Sequence, residues 1–268
     1  MLFGEKSVPL WMLFSFYATI RKRHQRYYII RSKNLSHSNY MIRSNLQVEI
    51  CCNSVLSARN AKLGGAYRIE LCQALGEGGT TPSAAAISYC VHELNLHTRV
   101  LIRPRGGNFC YDDEDFKIIL DDIRYAYNLG AHAVVVGFLT KSGDIDMPKT
   151  IAAVEAANGM SVTFHRAFDE CRDPHEALEQ IIECGCQKLL TSGCKPTALE
   201  GAQMLRSLHE QADGRINIIA ASGITPSNVV QLLRETGVHE IHASCKTTAD
   251  GFTTTDETLV KQLFTLVE

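Results

Sequence analysis

The sequence predicts an α/β chain folded as one (β/α)8 barrel of the TIM type, and three observations carry that prediction. Short apolar runs that close in small or polar residues recur along the chain: Leu101 to Gly107, Val162 to Arg166, Leu189 to Gly193, Ile218 to Gly223 and Glu240 to Ser244. Longer amphipathic stretches of helical period separate such runs, so strand and helix alternate from Leu46 onward. The 268 residues are 45% apolar with a net charge of −2, enough for one large core, and no shift in composition marks a second domain.

Eight strands are expected at 46–51, 67–71, 99–103, 132–136, 161–165, 187–191, 216–220 and 239–243. Each is nearly continuous in apolar residues, as strands are when helices cover the outside of a parallel sheet. The first gap holds a helical pattern from Ser54 to Leu63, and Thr80-Thr81-Pro82-Ser83 after Gly78-Gly79 feeds a helix with proline near its first turn. Further patterns run from Asp113 to Leu129 and from Pro174 to Glu183, the latter stopped by the glycine of Cys184-Gly185-Cys186. Thr225-Pro226-Ser227 opens another helix after the seventh strand.

The chain divides into an extension at 1–45 and a barrel domain at 46–268. Residues 1–40 hold seven Lys+Arg and one acid, leaving a net −8 on the remainder, and so acidic a body gives no reason to expect nucleic acid as a partner. The apolar stretch Val8 to Ile20, followed by Arg21-Lys22-Arg23, is short for a membrane span. A transit peptide (to mitochondria), an interfacial anchor, and a poorly ordered extension upstream of a working start at Met41 remain alternatives. Ten cysteines with no convincing secretory signal point to a reducing compartment and to free thiols.

In such barrels ligands sit at the C-terminal ends of the strands. Glu49 and Cys51 lie two apart on the first strand, Glu70 and Cys72 two apart at the end of the second, so each pair shares a face. Adjacent strands are roughly 4.8 Å apart, which brings the two cysteines within reach of one soft ion such as Cu(I). The alternative is that both are packing residues. His165, Arg166 and Asp169 place a base, a cation and an acid at the end of the fifth strand, with His165 either an acid/base catalyst or an interior histidine satisfied by Glu49 or Glu70. Arg103, Arg105 and His165 are the expected partners of the two glutamates, and Arg103, His165 and Glu70 are expected in one polar cluster. Ser192-Gly193 and Ser222-Gly223 offer backbone N–H groups and hydroxyls to an anion, although glycines serve tight turns as well.

Together the segments Gly64 to Cys72, Glu77 to Ser83, Leu101 to Gly107, Val162 to Asp169 and Leu190 to Cys194 resemble the CutC copper homeostasis family over roughly residues 46–250, and most closely its animal members. The resemblance implies a (β/α)8 barrel, associated as a homo-oligomer (dimer or tetramer), cytoplasmic and in animals also nuclear, with no membrane partner. It also implies a part in copper tolerance through Cu(I) binding, with Cys51 and Cys72 at the cysteines proposed as copper ligands. Tyr67 stands where the family has aspartate, and Ala220-Ala221-Ser222-Gly223 replaces a more glycine-rich turn. Three functions remain open: Cu(I) buffering or shuttling through Cys51 and Cys72, an enzyme of lyase, isomerase or hydrolase type, or a barrel without chemistry that serves as an assembly scaffold. The enzyme would act on a small anionic or phosphorylated molecule, with His165 as acid/base, Arg103 as clamp, and Glu49, Glu70 and Asp169 beside them.

Overall fold

The structure is a computed structural model that describes residues 46–267; the expected extension 1–45 lies outside the described residues. Eight parallel strands bond in chain order and close on themselves: β1 Gln47–Cys52, β2 Arg68–Leu71, β3 His97–Leu101, β4 Ala133–Val136, β5 Ser161–Phe164, β6 Lys188–Thr191, β7 Asn217–Ala221 and β8 Glu240–Ala243. Each is followed by a helix: α1 Val55–Leu63, α2 Ala84–Ser88 running on through a π turn at Tyr89–Glu93, α3 Asp113–Asn128, α4 Met147–Ala156, α5 Pro174–Glu183, α6 Ala202–Ala212, α7 Val229–Thr236 and α8 Glu257–Val267. This is the expected (β/α)8 TIM barrel.

Local chemistry sets the helix starts. Ser54, Asp112, Asp146 and Asp173 each accept an N–H of the first turn on their side-chain oxygen, satisfying donors that the helix itself leaves free. Pro148 and Pro174 sit in first turns, where a missing N–H costs nothing. Gly185, at φ +86, stops the chain after α5 as its position predicts.

The strands alternate sharply. Ile50, Cys52, Ile69, Leu71, Val100, Val134, Val162, Phe164, Leu189, Ile218 and Ile241 point outward and join the helices in one core. Burying side chains of this size contributes about 1.5–3 kcal/mol each, which makes this shell the source of the barrel's stability. The opposite set, Glu49, Arg68, Glu70, Arg99, Thr163, Lys188 and Glu240, is also buried or nearly so, but inside the barrel, where apolar contacts are confined to two small patches.

Three details depart from expectation. β3 starts at His97, two residues early, because Arg68 and Ile69 of β2 pair with His97 and Thr98; Arg103 is thereby moved off the strand into the following loop. Thr225 to Ser227 forms a turn closed by Thr225 N–H on Asn228 Oδ1 at 2.9 Å, and α7 begins only at Val229. An antiparallel hairpin, β9 Lys246–Ala249 and β10 Phe252–Thr255, follows β8. Its Asp250-Gly251 turn takes positive φ at both residues, as a two-residue hairpin needs. Asn53 and Asn60 donate to Thr253 O and Thr255 O at 3.0 and 2.9 Å, pinning the hairpin to α1. No helix among the described residues is long and apolar enough to cross a membrane.

Candidate functional site at the barrel mouth

The inward side chains form a ladder of charges along the barrel. At its base Glu240 receives Lys188 Nζ at 2.6 Å and Arg68 Nη2 at 2.5 Å, while Arg68 Nη1 donates to Gln47 Oε1 at 2.6 Å. One layer higher, Glu49 Oε2 lies 3.2 Å from both Arg68 Nε and Arg99 Nε, and Arg99 donates to Thr163 Oγ1. Burial alone raises the Glu49 carboxyl, but Arg99, His242 and Arg68 outweigh it and hold the group down at about 2.

The top layer is built by β1, β2 and β8. Register sets Glu49 beside His242 and Cys51 beside Glu70. His242 Nδ1 is 2.9 Å from Glu49 Oε1 and 3.6 Å from Glu70 Oε2, one ring nitrogen between two carboxylates. Burial opposes charge on this imidazole, yet the bonds to Cys51 and Glu49 and the Glu70 charge raise it well above its ordinary value, which favours the protonated ring. Glu70 is 5% exposed and its Oε2 has no hydrogen-bond partner; burial, against the pull of His242, pushes it up to about 7. Above it Cys51 and Cys72 pack in one small cluster with Leu101 and Val135. Contact with Cys72, and then burial, drives Cys51 well above the usual thiol range.

Glu49, Glu70 and His242 bring three ligand atoms within 4.8 Å, a spacing that a divalent ion would accept. Arg68, Arg99 and Lys188 already face the interior carboxylates Glu49 and Glu240, and Glu70 is raised to about 7, so an ion here would displace the proton of His242 and compete with fixed cations for Glu49.

The other expected site residues lie apart from this cluster. Arg103 does not pair with Glu70: its guanidinium donates to Glu77 O, Gly79 O and Gly107 O at 2.8, 3.0 and 2.7 Å, stapling two loops. Arg105 binds Asp115 Oδ2 at 2.7 Å. His165 caps the 3-10 turn Arg166–Glu170, its Nδ1 accepting Ala167 N–H at 3.1 Å, with Gly137 leaving room for the ring. Burial, reinforced by Arg103, lowers it to about 3, which favours the neutral ring. Asp169 takes up the donors expected to hold an anion. It accepts Ser192 N–H at 3.1 Å, Cys194 N–H at 3.2 Å, Thr191 Oγ1 at 2.5 Å, Ser192 Oγ at 2.9 Å and Arg166 Nε at 2.7 Å. Gly193 N–H goes to Thr191 Oγ1. The Ser192-Gly193 turn is therefore filled by the protein's own carboxylate. Ser222 Oγ donates to Pro196 O at 2.7 Å and Gly223 packs on the Thr197 side chain, so this pair also serves its loop.

Arg68, Arg99 and His242, the groups that do compensate the glutamates, were legible only through period two. Arg68 is two before Glu70, and His242 two after Glu240, so each shares its neighbour's inward face. Reading each strand as one apolar run hid them.

These features define a (β/α)8-barrel protein with a charged interior and a thiol-capped mouth. The CutC family model matches residues 46–247, and the chain belongs to the CutC family. It is 48% identical over 202 residues to a CutC family protein of Bacteroides thetaiotaomicron, covering 75% of this chain and 81% of that one. A crystal structure of a CutC copper homeostasis protein from Streptococcus agalactiae superposes with a TM-score of 0.71 at 32% identity, covering 74% of this chain and 98% of the other. Thiamine phosphate pyrophosphorylase from Pyrococcus furiosus, at 17% identity and a TM-score of 0.55, shares the fold. The CutC relatives named are bacterial and do not bear on the likeness to animal members.

Proposed function

We propose that the protein binds Cu(I) through the thiolates of Cys51 and Cys72 and so buffers copper in a reducing compartment, cytoplasmic or nuclear. The supporting observation is the packing of Cys51 and Cys72 in one small cluster at the mouth, directly above the Glu49–His242 pair and the ladder of charges. Cu(I) prefers sulfur and accepts low coordination. A Cu(I) ion held by two thiolates carries a net charge of −1, which the imidazolium of His242 offsets. The ten cysteines, all free in the structure, fit this compartment.

The protons are accounted for. The Cys51 thiol is raised, so Cu(I) must displace a proton to solvent, and affinity rises with pH, by up to tenfold per pH unit for each proton released. The copper reading is preferred to an enzyme on a small anionic substrate because the Cys51 and Cys72 pair sits at the mouth, whereas neutral His165 and carbonyl-bound Arg103 lie apart from it.

Competition for Cu(I) against a chromophoric chelator, under strictly reducing conditions at pH 6.5 to 8, tests the reading. The Cys51→Ser/Cys72→Ser double variant is expected to lose tight binding at the mouth, and the wild type to bind more tightly as pH rises. Unchanged affinity in the double variant, with circular dichroism showing it folded, would end the proposal.

A further inference from the structure

Among the described residues, Arg103 is the buried arginine that pairs with no carboxylate. The other two do pair: Arg68 meets Glu49 and Glu240, and Arg99 meets Glu49. Arg103 is 5% exposed, its three hydrogen bonds go to the carbonyls of Glu77, Gly79 and Gly107, and its buried Nε–H has no acceptor among the described residues. A buried cation held only by carbonyl dipoles favours an anion beside it. We infer that Arg103 and His165 bind the carboxylate of a small organic acid, next to Phe109 at the barrel mouth.

The two side chains share a neighbour. Arg103 Cζ stands 4.8 Å from the centre of the Phe109 ring, and the centre of the His165 ring lies 5.0 Å from the same point. His165 is 6% exposed, and its Nε2 has no hydrogen-bond partner among the described residues. Its tautomer follows from the other nitrogen: Nδ1 accepts Ala167 N–H at 3.1 Å and so carries no proton, which puts the proton of the neutral ring on Nε2. Nε2 is therefore a donor. Both groups are held in place by glycines that leave them room, since a Cβ would come 2.9 Å from Arg103 Nη1 at Gly78 and 2.3 Å from His165 Nδ1 at Gly137. Phe109 gives Arg103 a cation–π contact, a weaker counter-charge than a carboxylate. It is only partly buried, and it follows the exposed Gly107 and Asn108, so a ligand reaches the donors by moving this ring.

Charge sets the class of ligand. One guanidinium is balanced by one negative charge, and a neutral His165 adds a donor without adding charge, so a monoanion fits. Phosphate, at about −1.5 to −2 near pH 7, leaves charge uncompensated in a buried place. A guanidinium carries five N–H groups, and the carbonyls take three of those on Arg103; the rest, Nε–H among them, are free for the two oxygens of a carboxylate. The apolar part of an organic acid would rest on Phe109, a contact that an inorganic ion does not make. The site is built by the loops after β3 and β5 and uses no thiol, so it stands or falls apart from the copper proposal.

The full chain, metal-free and reduced, is heated in sodium acetate, sodium phosphate or sodium chloride at pH 7 and equal ionic strength. Acetate is expected to raise Tm above the chloride value, more so at higher concentration, and phosphate is not. Titration calorimetry then compares variants. Arg103→Gln should weaken acetate binding by at least tenfold. His165→Asn, whose Oδ1 can still accept Ala167 N–H but which has no donor at the Nε2 position, should weaken it by about tenfold, the worth of one hydrogen bond to a charged group. Cys51→Ser/Cys72→Ser should bind acetate as the wild type does. Because Arg103→Gln also cuts the staple between two loops, a second measurement uses the wild type alone: the 15N signals of Arg103 Nε and His165 Nε2 should both move with acetate and saturate together. Acetate that changes Tm and these signals no more than chloride does, or acetate affinity undiminished in both folded variants, would overturn the site. A response to phosphate alone would overturn the choice of a carboxylate, and loss of acetate binding in Cys51→Ser/Cys72→Ser would overturn its independence of the thiols.

Discussion

Glu70→Gln should make the protein more stable at pH 8, although it removes a charged residue beside a cation. The side chain is 5% exposed, and burial raises its carboxyl from the ordinary 4.5 to about 7 despite His242. A group raised in this way contributes stability that is fully present below about pH 4.5, the unfolded value, and is lost as pH rises through about 7. At about 1.4 kcal/mol for each tenfold change in proton affinity, keeping Glu70 charged at pH 8 costs roughly 3 kcal/mol. Glutamine keeps the shape and carries no charge, so that cost disappears. His242 meanwhile loses one of its two carboxylate neighbours, which returns part of the gain and leaves about 2 kcal/mol. For a domain of this size that corresponds to a rise of about 4–8 °C in Tm. Urea unfolding at pH 5 and pH 8, at constant ionic strength, measures it. The wild-type curve should fall relative to the variant's across that window, because the unfolded-state histidines are common to both chains. A variant less stable than the wild type at pH 8, or a gap that is the same at both pH values, would refute the reasoning.

Arg99→Met, which keeps volume but removes the cation, should cost about 3–5 kcal/mol, since Arg99 is 1% exposed and its loss leaves Glu49 with reduced compensation. Chemical denaturation at pH 7 reads the loss, and acidification toward the wild-type Glu49 value of about 2 should narrow the difference as that carboxylate is neutralised. Asp169→Asn should cost about 2–3 kcal/mol, because an amide cannot accept from Arg166 Nε and Ser192 Oγ on the same side as the carboxylate does. Hydrogen exchange should show faster amides at Ser192 and Cys194 in that variant. Removal of residues 1–40, whose excess of positive charge sets them apart from the strand–helix alternation, should leave Tm within a few degrees, as thermal unfolding of the two chains compared side by side will show.

The sequence by itself determined the barrel. Eight apolar runs alternating with helical patterns leave few other ways to bury both faces of a strand, and the starts at Ser54 and Pro174 and the stop at Gly185 are local signals that the structure realises within a residue. Period two also placed Glu49 with Cys51 and Glu70 with Cys72 on shared faces, which required no knowledge of the neighbours. Tertiary structure decided the partners. Which cation meets Glu49 depends on closure of β8 against β1 and on the register that sets Glu49 beside His242, and neither is written in any single strand. Arg103 illustrates the converse: it follows an apolar run as a site residue would, but a two-residue shift of β3 carried it to three loop carbonyls. Asp169 filled the Ser192-Gly193 turn because the β5 and β6 loops fold together over it, bringing residues more than twenty apart into one knot. Hydrophobic period is a property of neighbours along the chain, whereas the compensation of buried charge is settled between strands that meet only once the barrel has closed.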